Sequence, residues 1–206
     1  MTTTTTNIFR QGLLRYLSQQ QLALIESKRI SIGGAGGLGS NCAMILVRSG
    51  FKNFEIIDQD VIDPSNFNRQ QYFSDEVGLP KVDTLKKRLL EINPEPEMQT
   101  HQKKWTLENG HLYFKDCDYI VEAFDAVDWK YKFVEYYQET GKPIISGIGM
   151  AGLTQKGPMT VKKLGNIWFV GDRETCSHQG HPPMAPRVTQ CAAMMAEVVL
   201  DLNLNL

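Results

Sequence analysis

Short apolar runs alternate along the chain with longer stretches whose apolar positions recur every three or four residues. Ile30 with Ile32, residues 54–57, 118–123 and 142–147 are too short for helices and end in glycine or a carboxylate, which predicts strands. Between them lie helical stretches. One runs from Ser40 and another over 80–93, where Pro80 opens the pattern, Val82, Leu85, Leu89 and Leu90 form its apolar face and Asn93-Pro94 closes it. Residues 105–109 predict entry into a further helix, 128–138 another, and 190–204 a final apolar-faced one. Residues 160–163 and 167–170 pair as strands about a Gly165-Asn166 turn. Ahead of this alternation, Leu13, Leu14, Leu17, Leu22 and Leu24 keep helical spacing across 8–25, predicting a helix or helical pair laid against the domain or a second subunit. Strands alternating with helices predict an α/β fold: a Rossmann-like three-layer domain with a mostly parallel central sheet and an N-terminal helical extension. The expected division is 1–28 for the extension and 29–206 for the nucleotide-binding domain.

The stretch 29–60, RISIGGAGGLGSNCAMILVRSGFKNFEIIDQD, is strand, tight turn, helix and strand in sequence. Gly34, Gly36 and Gly39 have the spacing of a dinucleotide-binding turn: one glycine for the turn, one for close approach of a phosphate, one for packing helix on strand. Gly37 lies among them. The helix start offers free N–H groups to an anion. Asp58, at the end of the second strand with Asp60 just beyond, is placed to accept hydrogen bonds from a ribose. The turn alone does not separate ATP from NAD.

Polar residues that follow extend this site. In 61–73, VIDPSNFNRQQYF, a proline and two asparagines predict a shaped loop. Arg69 carries a planar fork of donors suited to phosphate oxygens, with Asn66 and Gln70 beside it to arrange the fork or the nucleotide. Lys81 sits at a helix start, where the dipole does not call for a cation. Asp125 follows a strand, so it either approaches the ligand crevice as a magnesium ligand or phosphate-side organiser, or it caps the next helix, as Asp128 can. Arg10 and Arg15 either solvate the leading helix or reach a phosphate across a dimer interface.

With 206 residues and a formal net charge of −1, the chain is sized for one domain and too balanced for a general polyanion binder. Nucleic acid is therefore not an expected partner, although local basic patches remain open. There is no signal-like N-terminus and no apolar run long enough to span a bilayer, so no membrane partner is expected and a cytoplasmic protein is. Thr2 to Thr6 form a low-complexity start expected to be mobile. Cys42, Cys117, Cys176 and Cys191 form no CxxC pair, and Cys42 and Cys191 lie among apolar helical residues, so both are expected to be buried. Cys176 lies in a polar loop with His178 and His181, read as a mobile or partner-contacting segment rather than a metal cluster. Asp172 and Arg187 are expected to pair, to position that loop, or to receive a substrate tail.

GAGGLGS, IIDQDVIDPSNFNRQ, VGLPKVDTLKKRLLEINP, VEAFDAVDWK and MAPRVTQCAA, in that order, cover most of the chain. Through them it resembles the ThiF/MoeB/HesA branch of the ubiquitin-activating-enzyme superfamily, and within it the short sulfur carrier protein ThiS adenylyltransferases. The resemblance implies a homodimeric adenylyltransferase that uses ATP and Mg2+ to activate the C-terminal carboxylate of a ThiS-like sulfur carrier for thiamine synthesis, served by a sulfur donor protein. It implies that Asp58 binds the ribose, that Arg69 and Lys81 contact phosphate and that Asp125 supports the metal. Relatives with two CxxC pairs hold structural zinc; this chain has neither pair, so no zinc is expected. Where the family pattern has a trans-acting arginine, this chain has Ser18, leaving Arg10 or Arg15 as substitutes. A covalent sulfur-transfer role for Cys176 is weighed against a free surface thiol. The alternatives are activation of another sulfur carrier, a tRNA threonylcarbamoyladenosine dehydratase-like reaction, an NAD-dependent oxidoreductase and a non-catalytic nucleotide-binding scaffold.

Overall fold

The computed structural model describes residues 7–152, 157–175 and 180–204. The expected mobile start, Thr2 to Thr6, lies outside them. Strands β1 (Arg29–Gly33), β2 (Asn53–Ile57), β3 (Glu97–His101), β4 (Tyr119–Glu122), β5 (Ile144–Gly147), β6 (Thr160–Leu164) and β7 (Ile167–Gly171) form one sheet in the order β3-β2-β1-β4-β5-β7-β6. Every neighbouring pair is parallel except β6 with β7. The strand order reverses beside β1, where β1 is flanked by β2 and β4, and that is where the crevice of an open α/β sheet lies.

The apolar runs are continuous because both faces of the sheet are covered, and alternate residues enter different layers. Ile56, Val121, Ile145 and Val170 pack with helices α3 (Gly37–Arg48), α4 (Lys81–Ile92) and α6 (Ala185–Leu204). Their neighbours Ile57, Ile120, Ile144 and Ile167 pack on the other face, under α5 (Val127–Gln138) and an aromatic cluster built on Trp105, Phe114, Phe133 and Tyr137. The architecture is the expected Rossmann-like three-layer fold with a mostly parallel sheet.

Two short helices precede β1: α1 (Ile8–Leu13) and α2 (Gln19–Ser27). Ser18 begins α2 through a capping box with Gln21, so the residue standing where the family pattern has arginine closes a helix end. Leu22 and Ile25 are buried.

Three elements depart from expectation. Helix α3 begins at Gly37 rather than Ser40, placing Gly39 inside its first turn. Residues 105–109 enter a single helical turn rather than a regular helix: Thr106 and Asn109 form a capping box, the Thr106 amide donating to Asn109 Oδ1 (2.8 Å) and the Asn109 amide to Thr106 Oγ1 (3.3 Å), and the Gly110 amide donates to the Thr106 carbonyl (2.8 Å). Only a short 3-10 turn, Gly110–Leu112, follows. Helix α6 starts at Ala185, one and a half turns before Gln190. The hairpin is as expected, with Leu164 opposite Ile167 and Gly165 at φ 59°. Cys42 and Cys191 are buried, and desolvation raises both thiol pKa values, that of Cys191 to about 12. No helix among the described residues is long and apolar enough to cross a membrane.

Candidate active site

The turn from β1 into α3 gives each glycine a distinct steric role. Gly34 has φ 100°, and a Cβ there would sit 2.7 Å from the Ala123 carbonyl oxygen on the neighbouring strand. At Gly39 a Cβ would lie 1.8 Å from the Gly34 carbonyl oxygen, so only glycine lets the helix rest on the turn. Gly36 is different: the nearest atom to a Cβ is Gln70 Nε2, 3.8 Å away, so the protein alone leaves that position room. The space a side chain would take lies in the cleft.

Asp58 stands at the end of β2, beside this turn. Its Oδ2 accepts the Ala35 amide (2.6 Å) and its Oδ1 the Asp60 amide (2.7 Å). Burial is the largest influence and raises its pKa above the ordinary aspartate value, although the two amides and the charge of Lys81 pull it down. The Tyr72 hydroxyl donates to the Ala35 carbonyl (2.7 Å), bracing the turn from below. Lys81 opens α4 and bonds Asp60 Oδ2 at 2.8 Å, with its own side chain only 6% exposed. The awkward cation at the helix start is thus a buried ammonium paired with an exposed carboxylate at the cleft wall.

The 61–73 loop supplies the next wall. Asp63 and Asn66 form a capping box around the 3-10 turn Pro64–Asn66, so Asn66 shapes the loop and does not line the cleft. Arg69 follows, its Nη1 donating to the Ser65 carbonyl (2.9 Å) and Asn68 Oδ1 (2.7 Å), and the Asn41 side chain holds its carbonyl (2.8 Å). Gln70 is buried, lines the cleft and has no partner for Oε1 among the described residues. A buried polar atom left open at a cavity wall calls for a ligand donor.

On the far side, Asp125 is exposed on the loop between β4 and α5 and makes no hydrogen bond or ion pair among the described residues. It does not cap α5, whose N-cap is Ala126 without a side-chain bond, and the alternative of Asp128 as cap also fails. The cleft that results has a volume of about 450 Å³. It brings together Gly34, Gly36, Gly37, Asp58, Asp60, Arg69, Gln70, Lys81 and Asp125, nine of the predicted positions from five separate stretches of chain. Gly39 and Asn66 act behind its wall.

Arg10 and Arg15 do not reach the cleft. Arg10 Nε bonds Glu26 Oε1 at 2.9 Å, while Arg15 is exposed on the turn after α1. Cys176 and His178 lie outside the described residues. Arg187 and Asp172 do pair, and Arg187 Nε also donates to the Ala151 carbonyl (3.1 Å) at the cleft edge. Burial opposes ionisation of Asp172 and is its largest influence, yet the Thr175 and Glu174 amides, the Thr175 hydroxyl and Arg187 bring its carboxyl below the ordinary value.

The unforeseen lining residues include Lys103, Lys104, Trp105, Trp129 and Lys130. Lys103 and Lys104 follow β3, and the strand-end rule that singled out Asp58 and Asp125 points to them once 97–101 is read as a strand. Lys104 Nζ lies 4.6 Å from the Trp129 ring and Lys132 Nζ 4.9 Å from it.

The ThiF family model matches residues 9–202. A tRNA threonylcarbamoyladenosine dehydratase of Bacillus subtilis is 32% identical over 140 residues, 67% of this chain and 55% of that protein. tRNA threonylcarbamoyladenosine dehydratase 1 of Saccharomyces cerevisiae is 34% identical over 164 residues, 75% of this chain and 38% of that one. The chain therefore spans about half or less of the length of these relatives. The crystal structure of E. coli tRNA N6-threonylcarbamoyladenosine dehydratase in complex with AMP superposes with a TM-score of 0.86 over 97% of both chains at 24% identity, a likeness of fold.

These relatives correct the expectation of a ThiS adenylyltransferase acting in thiamine synthesis: the matches named above are enzymes of a tRNA nucleoside. The physical reason lies in which residues carried the resemblance. The glycine turn, Asp58, Arg69, Lys81 and Asp125 are residue types that suit a nucleotide, and their spacing carries no information about the acid to be activated.

Proposed function

The chain belongs to the ThiF family, and from that premise we propose that it activates a carboxylate by adenylylation with ATP, the acid being that of threonylcarbamoyladenosine in tRNA. The observation that carries this reading is the convergence of Gly36, Asp58, Gln70, Arg69, Lys81 and Asp125 on one cleft at the sheet's reversal point. In this reading the ribose hydroxyls donate to Asp58, the α-phosphate approaches the backbone at Gly36, and Arg69 and Lys81 meet the phosphate oxygens. Gln70 Oε1 accepts from the ligand the hydrogen bond that the protein does not provide.

Magnesium fits the residues present. It is held in nucleotide sites by one or two carboxylates with phosphates and water completing the shell, and Asp125 is an exposed, uncommitted carboxylate at a cation-lined cleft. Bound there, the ion would screen the phosphate charges from an incoming anion. The carboxylate needs no general base, being already ionised at neutral pH. Its oxygen bonds to the α-phosphorus as pyrophosphate leaves. The ureido group of the same nucleoside then attacks the acyl carbon and loses a proton, and AMP departs with the former carboxylate oxygen. The balance is loss of one water from the nucleoside and conversion of ATP to AMP and pyrophosphate.

An RNA substrate runs against the near-neutral charge of the whole chain, and the local distribution supports it. Lys103 and Lys104 are exposed at the cleft mouth, with no carboxylate within salt-bridge range among the described residues. Such a rim attracts phosphates whatever the average charge. We also infer that α1, bearing Ile8 (83% exposed), the turn after it, bearing Tyr16 (88% exposed), and α2 meet a second copy, with Arg15 as the arginine free to reach across. Incubation of the protein with ATP, magnesium and tRNA carrying threonylcarbamoyladenosine, followed by nucleoside mass spectrometry, tests the reading. Loss of one water with AMP formed in equal amount is expected. An unchanged nucleoside with a folded, ATP-binding protein would overturn it.

A further inference from the structure

Behind the cleft lies a charged group that none of these steps uses. Glu122, the last residue of β4, is completely buried. Its carboxylate meets donors from three places: Ser146 Oγ on β5 (2.6 Å), the Phe124 amide (2.8 Å) and Lys130 Nζ on α5 (2.8 Å to Oε2, 3.0 Å to Oε1). Lys130, 13% exposed, also donates to the Phe124 carbonyl at 2.8 Å. Both the amide and the carbonyl of Phe124 are therefore tied to one ion pair. The next residue is Asp125.

Helix stability does not account for this arrangement. Lys130 is in the first turn of α5, where a cation opposes the helix dipole, and the helix has no side-chain cap to which the pair contributes. Nor does sheet stability require it, because apolar side chains of similar size hold such a position as well as a buried ion pair. What the pair supplies is direction: it fixes the backbone on which the uncommitted Asp125 carboxylate is carried. We propose that Glu122 and Lys130 are positioning residues that hold Asp125 at the phosphate end of the cleft, so that the site takes magnesium-bound triphosphate without the ligand having to order the loop. The proposal rests on the ATP-magnesium reading above.

Removing one charge leaves the other buried and unpaired, so Lys130→Met alone is expected to fold poorly. The double variant Glu122→Gln/Lys130→Met removes both charges and keeps the side-chain volumes close. Calorimetric titration with AMP alone and with ATP plus magnesium separates the two ends of the cleft. The double variant is expected to melt near the wild-type temperature and to lose much less affinity for AMP than for magnesium-ATP. Its affinity for magnesium-ATP should fall at least ~10-fold, with a higher magnesium requirement, as a displaced polar contact demands. Adding Asp125→Ala to the double variant should cost much less than adding it to the wild type, because the pair acts through that carboxylate. Equal weakening of AMP and magnesium-ATP, no change in either, or full additivity with Asp125→Ala would overturn the proposal while leaving the proposed function standing. A wild-type protein that binds neither nucleotide would remove both.

Discussion

Two strand-end carboxylates line the same cleft under opposite conditions. Asp58 is half-buried, accepts two backbone amides and is fixed before any ligand arrives. Asp125, on the other side of β1, is exposed and bonded to nothing among the described residues; only the backbone before it is tied. The difference separates two tasks. In the proposed function a neutral, invariant adenosine would meet a preformed floor, whereas a charged and changing phosphate would meet a carboxylate left free to take a metal.

The strongest way to break this comparison is at Asp125. Asp125→Ala is expected to lower adenylylation by ~100- to 1,000-fold, the scale of losing one electrostatic contact to the reacting phosphate, while AMP affinity is retained. Equal loss of AMP binding, measured by calorimetry, would show that the two sides are not separate.

The floor divides further into stability and binding. Gly39→Ala forces a side chain into the Gly34 carbonyl and is expected to lose ~2 kcal/mol or more of folding stability, read by denaturant unfolding. Gly36→Ala meets nothing closer than 3.8 Å, so it should unfold like the wild type yet bind AMP at least ~10-fold more weakly, since a methyl group stands where the phosphate approaches. Wild-type AMP affinity in Gly36→Ala would remove that glycine from the site.

Acid sharpens the contrast by a smaller amount. The raised pKa of Asp58 means that it protonates above the ordinary aspartate range as pH falls, so AMP affinity should decline there with a one-proton slope. The sign for stability is opposite: with a raised folded pKa, its contribution is full below the unfolded value and is lost as pH rises through the folded one. AMP binding weakens while this turn is steadied. A titration indistinguishable in Asp58→Asn would remove Asp58 as the cause. The smallest effect is expected at the rim: Lys103→Ala/Lys104→Ala should weaken tRNA binding and flatten its salt dependence by about two counterions, leaving AMP binding unchanged. A salt slope equal to that of the wild type would take those lysines out of RNA contact.

The floor was legible in the sequence because each part of it is local. Residues 29–60 carry strand, glycine turn, helix and closing carboxylate without a break, and the structure brings them together unchanged except that the helix starts at Gly37. The opposite side depends on pairings distant in sequence. Lys103 and Lys104 reach the cleft only because β3 lies at the end of the same parallel sheet, and Glu122, Ser146 and Lys130 meet only because β4, β5 and α5 are neighbours. The turn at 106–110 shows the same limit: a capping box opens it, and helical spacing does not reveal that only a short 3-10 turn follows. The acid partner is not legible for a related reason, since the motif residues are of types that suit a nucleotide and do not distinguish the acid.

The central claim is that a carboxylate oxygen is passed to AMP. tRNA bearing threonylcarbamoyladenosine with oxygen-18 in its carboxylate, incubated with the protein, ATP and magnesium, tests it most directly by mass spectrometry of the nucleotide released. The account predicts one labelled oxygen in AMP and none in pyrophosphate. Label appearing in inorganic phosphate alongside ADP, or remaining wholly in the RNA while a protein C-terminal carboxylate transfers its oxygen instead, would contradict it.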